Sequence, residues 1–209
     1  QLETLLSKLP KDLVQRVEWL TELPVNFNGV MIGNEVLDAI PVHIVHAKDD
    51  GLYERGIVID GDEFAWQDIV LSESSLLELV SKLNLPEGYM TEVCPAASGL
   101  IASLANVLEQ GIILMIDYGF SAREYYHPQR NQGTLMCHYQ HYAHIDPLIY
   151  IGLQDITAHV NFSQIAMLCD PHGIRLAGYA SQAHFLMNCG ILELMSQVSP
   201  HDMARYAPL

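Results

Sequence analysis

Leu13, Val14, Val17 and Leu20 recur every three or four positions, and this spacing predicts a helix from Pro10 to Leu23, after a first helix over Leu2–Leu9. Pro10 suits a first helical turn, where its missing N–H removes no bond. Asn26, Asn28 and Gly29 signal a turn. Val30-Met31-Ile32-Gly33 then runs apolar without interruption, the pattern of a strand buried on both faces. Asn34 to Pro41 reads as a strand-end loop or one helical turn.

From Val42 to Gln67 the pattern becomes β-rich. Val42–Val45 and Gly56–Ile59 are separated by Asp49-Asp50-Gly51, and Asp60-Gly61-Asp62 precedes Phe64-Ala65-Trp66. This predicts a β-meander, over about residues 42–67, inserted in an α/β frame. Helical spacing returns at Ser75–Leu83 and at Pro95–Gln110, with Gly111 placed to end the second helix. Ile112–Ile116 is the clearest strand, and it runs into Asp117-Tyr118-Gly119. The stretch from about 118 to 160 is polar, aromatic and histidine-rich, and is expected to be a long functional loop. Phe162–Leu168 is helical, Ile174–Ala180 reads as a strand, and Gln182–Asn188 and Ile191–Gln197 as helices. Strands alternating with helices give an α/β fold, read as one domain over residues 1–209.

Composition narrows the functions open to such a fold. Half of the residues are hydrophobic, enough to bury a core. A net charge of −15 repels phosphate backbones, which argues against nucleic-acid binding and against a polybasic membrane anchor. The longest apolar run, around Gly111–Ile116, falls far short of the roughly 20 residues of a membrane span. No secretory signal pattern opens the chain, and a first residue of Gln rather than Met suggests a piece of something longer. Cys94, Cys137, Cys169 and Cys189 form no C-x-x-C pair, so free thiols in a bacterial cytoplasm or an organelle matrix are expected.

Ligands of open α/β sheets sit beyond the carboxyl ends of the strands. Two predicted strands end in polar residues there: Asn34-Glu35 after the first, Asp117-Tyr118-Gly119 after the second. Asp117 could equally cap a turn. The long stretch adds Arg123, Tyr125, Tyr126, Arg130 and Gly133-Thr134. Asp155, Thr157 and His159 alternate with apolar residues and would face one way if extended, although Asp-x-Thr also suits a helix cap before Phe162. His138, His141 and His144 are spaced poorly for one metal centre, so no metal is assigned. Neither G-x-S-x-G, nor G-x-G-x-x-G or G-x-G-x-G, nor a P-loop occurs, so no residue is assigned to a cofactor loop.

Several runs taken in order resemble the MidA-like family of class I S-adenosylmethionine-dependent methyltransferases. They are Gly33-Asn34-Glu35-Val36-Leu37-Asp38-Ala39-Ile40-Pro41-Val42 with Glu54-Arg55, Glu92-Val93-Cys94-Pro95-Ala96-Ala97, and Ile116-Asp117-Tyr118-Gly119. Gly133-Thr134-Leu135, Gly152–Phe162 and Gln182-Ala183-His184-Phe185-Leu186 complete the set. The resemblance implies a Rossmann-like methyltransferase sheet with its fourth strand at Val30–Gly33 and its fifth at Ile112–Ile116. It also implies a cofactor loop upstream, so the chain is expected to be the carboxy-terminal part of the enzyme, without the first strands and inactive alone. Mitochondrial members of the family are protein-arginine methyltransferases of respiratory complex I assembly, which makes a complex I subunit or its bacterial equivalent the implied partner.

For a guanidinium acceptor, Glu35 and Asp38 are the first choice as catalytic acids, with Asn34 as a positioning amide. Asp117, Tyr118, Gly119, Arg130, Thr134, Asp155, Thr157 and His159 are expected to wall the acceptor pocket. A fourth strand with an open edge predicts a homodimer or a self-covering rearrangement. The competing expectations are a non-catalytic protein-interaction module and a metal-dependent hydrolase built on the histidine-rich stretch.

Overall fold

The computed structural model describes residues 2–197, which fall into two compact units divided after Ile174. In the first, α1 (Leu2–Lys8) and α2 (Lys11–Val14) precede β1 (Phe27–Asn34). A meander follows: β2 (His43–Lys48), β3 (Gly51–Asp60) and β4 (Glu63–Val70), then α3 (Ser74–Ser81) and β5 (Met90–Val93). Next come α4 (Ala96–Val107), β6 (Leu108–Ile116), β7 (Gly119–Phe120) and α5 (Ala122–Tyr125). The strands β8 (Met136–Tyr139), β9 (Tyr142–His144), β10 (Asp155–Thr157) and β11 (Val160–Asn161) lead into α6 (Phe162–Cys169). The second unit contains α7 (Gln182–Asn188), capped by Ser181, and α8 (Ile191–Ser196).

β1 and β6 pair in parallel from Gly29 opposite Gly111 to Asn34 opposite Ile116. Their backbones approach so closely that a Cβ on Gly111 would lie 1.8 Å from the Gly29 carbonyl oxygen. The expectation that β1 is buried on both faces does not hold. Its burial alternates, with Val30 and Ile32 58% and 67% exposed, so one face of the strand is left without a cover among the described residues.

The meander forms a four-stranded antiparallel sheet in the order β4-β3-β2-β5. It is wider than the predicted 42–67, because β4 runs to Val70 and β5 joins from beyond α3. One face packs on α3, and Val45, Leu71, Leu76, Val80 and Val93 form the core between them. Full burial of each such side chain stabilises the fold by about 1.5–3 kcal/mol. On β4, Asp68 receives Arg55 through both carboxyl oxygens, Nε at 2.7 Å and Nη2 at 3.1 Å, with His46 and Lys48 at 2.9 Å. These donors, Arg55 foremost, hold the Asp68 carboxyl well below the usual carboxylate range, against the opposing effect of burial.

Several sequence expectations are corrected. The helix expected over Pro10–Leu23 ends at Val14; Leu20 and Leu23 are exposed, and a helix without a packed face is marginal. α4 gives way directly to β6 at Leu108, so Gly111 lies within the strand and not past a helix end. Ile174–Ala180 is irregular and is no strand. The stretch from 118 to 160 is no open loop: it holds β7 to β11 and α5, including a three-stranded sheet in the order β10-β8-β9. Thr157 lies in β10, and the cap of α6 is Asn161, whose side chain accepts the Gln164 N–H. No helix among the described residues is long and apolar enough to cross a membrane.

Candidate functional site

Because β1 and β6 run parallel and in register to their last residues, their carboxyl ends open on one rim. Glu35 leaves β1 with a left-handed φ of 51°, its N–H still donating to the Ile116 carbonyl at 2.9 Å. That turn sends residues 36–38 past the end of β6. There one Asp117 carboxyl oxygen accepts three successive amides, from Val36 at 3.2 Å, Leu37 at 2.9 Å and Asp38 at 3.3 Å. Its second oxygen accepts the Tyr118 N–H at 2.9 Å. Burial raises the Asp117 carboxyl above its ordinary range, backbone donors pull it back, and the charge of Asp38 adds to the rise. Asp117 is therefore a clasp between two strand ends.

Asp38, held by that clasp, is only 4% exposed. One of its carboxyl oxygens accepts the Tyr118 hydroxyl, and the other is buried with no protein donor. The Tyr118 phenol is pushed up to about 12, first by burial and then by its bond to Asp38, while Thr157 alongside acts in the opposite sense. The Asp38 carbonyl also accepts the Ala158 N–H at 3.0 Å, which joins the rim to the segment after β10. There the His159 ring stacks on Phe120, centroids 5.2 Å apart, and meets the edge of Tyr118 at 5.3 Å.

These groups line an open cleft of about 680 Å³. Of the residues singled out in the sequence, Glu35, Asp38, Tyr118, Asp155, Thr157 and His159 are brought together on its walls. Asn34, Asp117, Gly119, Arg130 and Thr134 are not among the lining residues. Gly119 meets a steric need instead, since a Cβ there would lie 2.0 Å from the Val160 carbonyl where β7 pairs with β11. Arg130 covers the Phe120 ring at 3.8 Å and donates to the Glu124 carbonyl. His138 of β8 lines the cleft, whereas His141 sits in the β8–β9 turn with a φ of 70°. Among the described residues no group of three His, Cys, Asp or Glu side chains could hold a metal ion.

Sequence reasoning missed the role of Glu92. It is 2% exposed, on β5, and its carboxyl accepts the N–H groups of Thr134 and Leu135 and the Thr134 hydroxyl. A buried acid needs such donors. The signal available in the chain was the glycine 41 positions later: a Cβ on Gly133 would lie 2.2 Å from Glu92 Oε1.

The chemistry of the cleft fits a ligand that donates hydrogen bonds or carries positive charge, because Glu35, Asp38 and Asp155 are acceptors and one Asp38 oxygen is left over. An ammonium, a ribose hydroxyl or a guanidinium meets that requirement. The glycine-rich turn that would seat a nucleoside in such a fold has no counterpart in the 209 residues, so no cofactor contact is assigned beyond these acceptors.

A family described as "Putative S-adenosyl-L-methionine-dependent methyltransferase" matches residues 1–180. The chain belongs to this family. Among curated relatives, the mitochondrial protein arginine methyltransferase NDUFAF7 homolog of Drosophila melanogaster is 30% identical over 194 residues, which is 88% of this chain and 42% of that protein. The Caenorhabditis elegans homolog is 27% identical over 183 residues, 82% of this chain and 39% of that protein. A crystal structure of a COG1565 superfamily member from Burkholderia thailandensis with S-adenosyl-homocysteine bound superposes with a TM-score of 0.92 at 45% identity, over 99% of this chain and 53% of that one. A native crystal structure of a COG1565 superfamily protein from the same organism gives the same TM-score and identity over 100% and 56%. The chain thus spans about half the length of these solved relatives and about two fifths of the curated ones. The family is S-adenosylmethionine-dependent, and a bound product-form cofactor in a relative this similar in fold agrees with that chemistry.

Proposed function

We propose that this chain forms the acceptor-side wall of an S-adenosylmethionine-dependent methyltransferase acting on arginine in a protein, with Glu35 and Asp38 holding the guanidinium. The carrying observation is Asp38: buried, on the cleft wall, fixed through Tyr118, and left with one carboxyl oxygen that no protein group satisfies. An uncompensated buried oxygen costs about 1–3 kcal/mol, which a cationic ligand would recover. A guanidinium N–H donating to that oxygen would be held in one plane, as paired carboxylates hold it in general.

The cofactor supplies a sulfonium methyl group. In such a transfer an arginine nitrogen would form the new N–C bond as the S–C bond breaks, the neutral thioether would leave, and the proton of that nitrogen would pass to a cleft carboxylate or to water. The part of the chain described here binds and orients, because a fixed acceptor geometry removes much of the entropic barrier to such a transfer. Tyr118 holds the Asp38 carboxyl through its hydroxyl, and Asp155, Thr157 and His159 line the same cleft. With no glycine-rich turn in its 209 residues, the chain alone is expected to be inactive. The names of the relatives and the net charge of −15 support a basic protein substrate, a respiratory complex I subunit or its bacterial equivalent being the acceptor implied by the resemblance. Homodimerisation through the edge of β1 that pairs with no strand among the described residues belongs to the same reading, as does a reducing cytoplasm or organelle matrix, which suits the free thiols of Cys94, Cys137, Cys169 and Cys189.

The test is calorimetric and radiochemical. The 209-residue chain is expected to take up N-acetyl-arginine amide but not S-adenosylmethionine, and a protein extended to the length of the relatives is expected to transfer labelled methyl to arginine peptides. Asp38→Asn in that longer protein should lower transfer by at least tenfold. Full transfer by the Asn variant would remove the assignment, and no transfer by the extended protein would favour a non-catalytic interaction module.

A further inference from the structure

We infer that Glu92 is a positioning residue that sets His159 in the cleft through the Thr134 hydroxyl, an inference that rests on the cleft being the acceptor site. The three residues come from three separate parts of the chain: β5, the segment before β8, and the segment after β10. Each link is a hydrogen bond. Glu92 Oε1 accepts the Thr134 N–H at 2.9 Å and the Leu135 N–H at 3.0 Å, while Oε2 accepts the Thr134 hydroxyl at 2.9 Å and the Tyr125 hydroxyl at 3.4 Å. Thr134 Oγ1 in turn accepts the His159 backbone N–H at 3.1 Å.

The direction of this relay follows from proton counting. A threonine hydroxyl has one proton and two lone pairs. Glu92 can only accept from it, so the proton is committed to Glu92 and a lone pair is turned toward His159. With Thr134 and Glu92 8% and 2% exposed, water does not compete for either bond. The His159 backbone is thereby fixed on one side by Thr134, and its ring is held between Phe120 and Tyr118. What remains free is the ring nitrogen Nδ1, buried and without a protein partner, on a residue that lines the cleft. Glu92 does not line the cleft itself, but it lines a smaller cavity together with His159. Its function is to aim an imidazole toward the ligand.

The experiment uses the 209-residue chain labelled for NMR, with N-acetyl-arginine amide as probe. Thr134→Val keeps the shape and removes the hydroxyl, so the His159 amide should exchange with solvent at least tenfold faster, the His159 imidazole signals should shift or broaden, and affinity for the probe should fall about fivefold. Thr134→Ser restores the hydroxyl and should restore all three. Glu92→Gln keeps one acceptor oxygen and should give an intermediate imidazole shift. Unchanged His159 exchange and imidazole signals in a folded Val or Gln variant would overturn the inference and reduce Glu92 to a loop anchor. If the unmodified chain does not bind the probe, the proposed function fails, and the His159 signals still decide the relay.

Discussion

Asp117 accepts the Leu37 amide at 2.9 Å across 80 positions of sequence, and through this bond the end of β6 dictates where the turn after β1 places Asp38. The carboxyl group is thus engaged by backbone and not offered to the cleft. Asp117→Ala leaves the amides of Val36, Leu37 and Asp38 without their acceptor. Two of these bonds are partly buried, so a loss of about 2–4 kcal/mol in urea unfolding is expected. Asp117→Asn keeps one acceptor oxygen and should lose about 1 kcal/mol. A neutral Ala variant would show that the clasp carries no stability.

Tyr118 gives a pH signature. Its folded-state pKa of about 12 lies above that of an unfolded tyrosine, so its contribution is complete below about 10 and is lost as the pH rises from there toward 12. In ultraviolet titration, the difference between the unmodified chain and Tyr118→Phe should contain no tyrosinate absorbance until the pH is well above 10. A phenol in that difference spectrum that ionises near 10 would mean that the bond to Asp38 does not form.

Asp68 predicts acid sensitivity of the meander. Its folded-state pKa is depressed, so the associated stability is present above about pH 4, the range of an unfolded aspartate, and is lost as the pH falls. Asp68→Asn disrupts the charged pairing with Arg55, and about 2 kcal/mol of stability at pH 7 should go with it. Denaturant unfolding between pH 7 and 3 should show the unmodified chain converging on the variant. Parallel curves would contradict the pairing.

Gly111 tests the close approach of the two parallel strands. With only 1.8 Å between a new Cβ and the Gly29 carbonyl, Gly111→Ala must part β1 from β6 and should destabilise the chain by about 3 kcal/mol or more. Thermal melting reads this directly, and an unchanged midpoint would refute the register of β1 on β6.

Periodicity and turn chemistry made β1, the meander, α3, α6 and β6 legible, because each carries its own local pattern. The rim was legible too: acids directly after two apolar strands are a local feature, and parallel pairing then places them side by side. What local patterns could not report was partnership. Val30 and Ile32 look like core residues and are exposed, since burial depends on what covers a strand and not on the strand. Leu20 has helical spacing but lies exposed, with no face to pack on. Thr134 belongs to a polar stretch expected to wall the pocket, yet its hydroxyl donates to Glu92, 42 positions earlier. The strands between 118 and 161 have only two to four residues each, too few for alternation to show in the sequence.

Between the two halves of the rim the chain makes an excursion through the meander, α3, β5 and α4 before returning. Closing a loop this long carries a cost that rises only with the logarithm of its length, so doubling the excursion would cost only about 0.6 kcal/mol. The turns at Asp49–Asp50 and Gly61–Asp62 can therefore accept inserted sequence, such as a fluorophore tag or a purification peptide, while the tie between Leu37 and Asp117 stays closed. The same arrangement delays assembly. Asp38 reaches its final surroundings only after β6 has formed, so this corner of the molecule should be among the last to gain protection from hydrogen exchange during refolding.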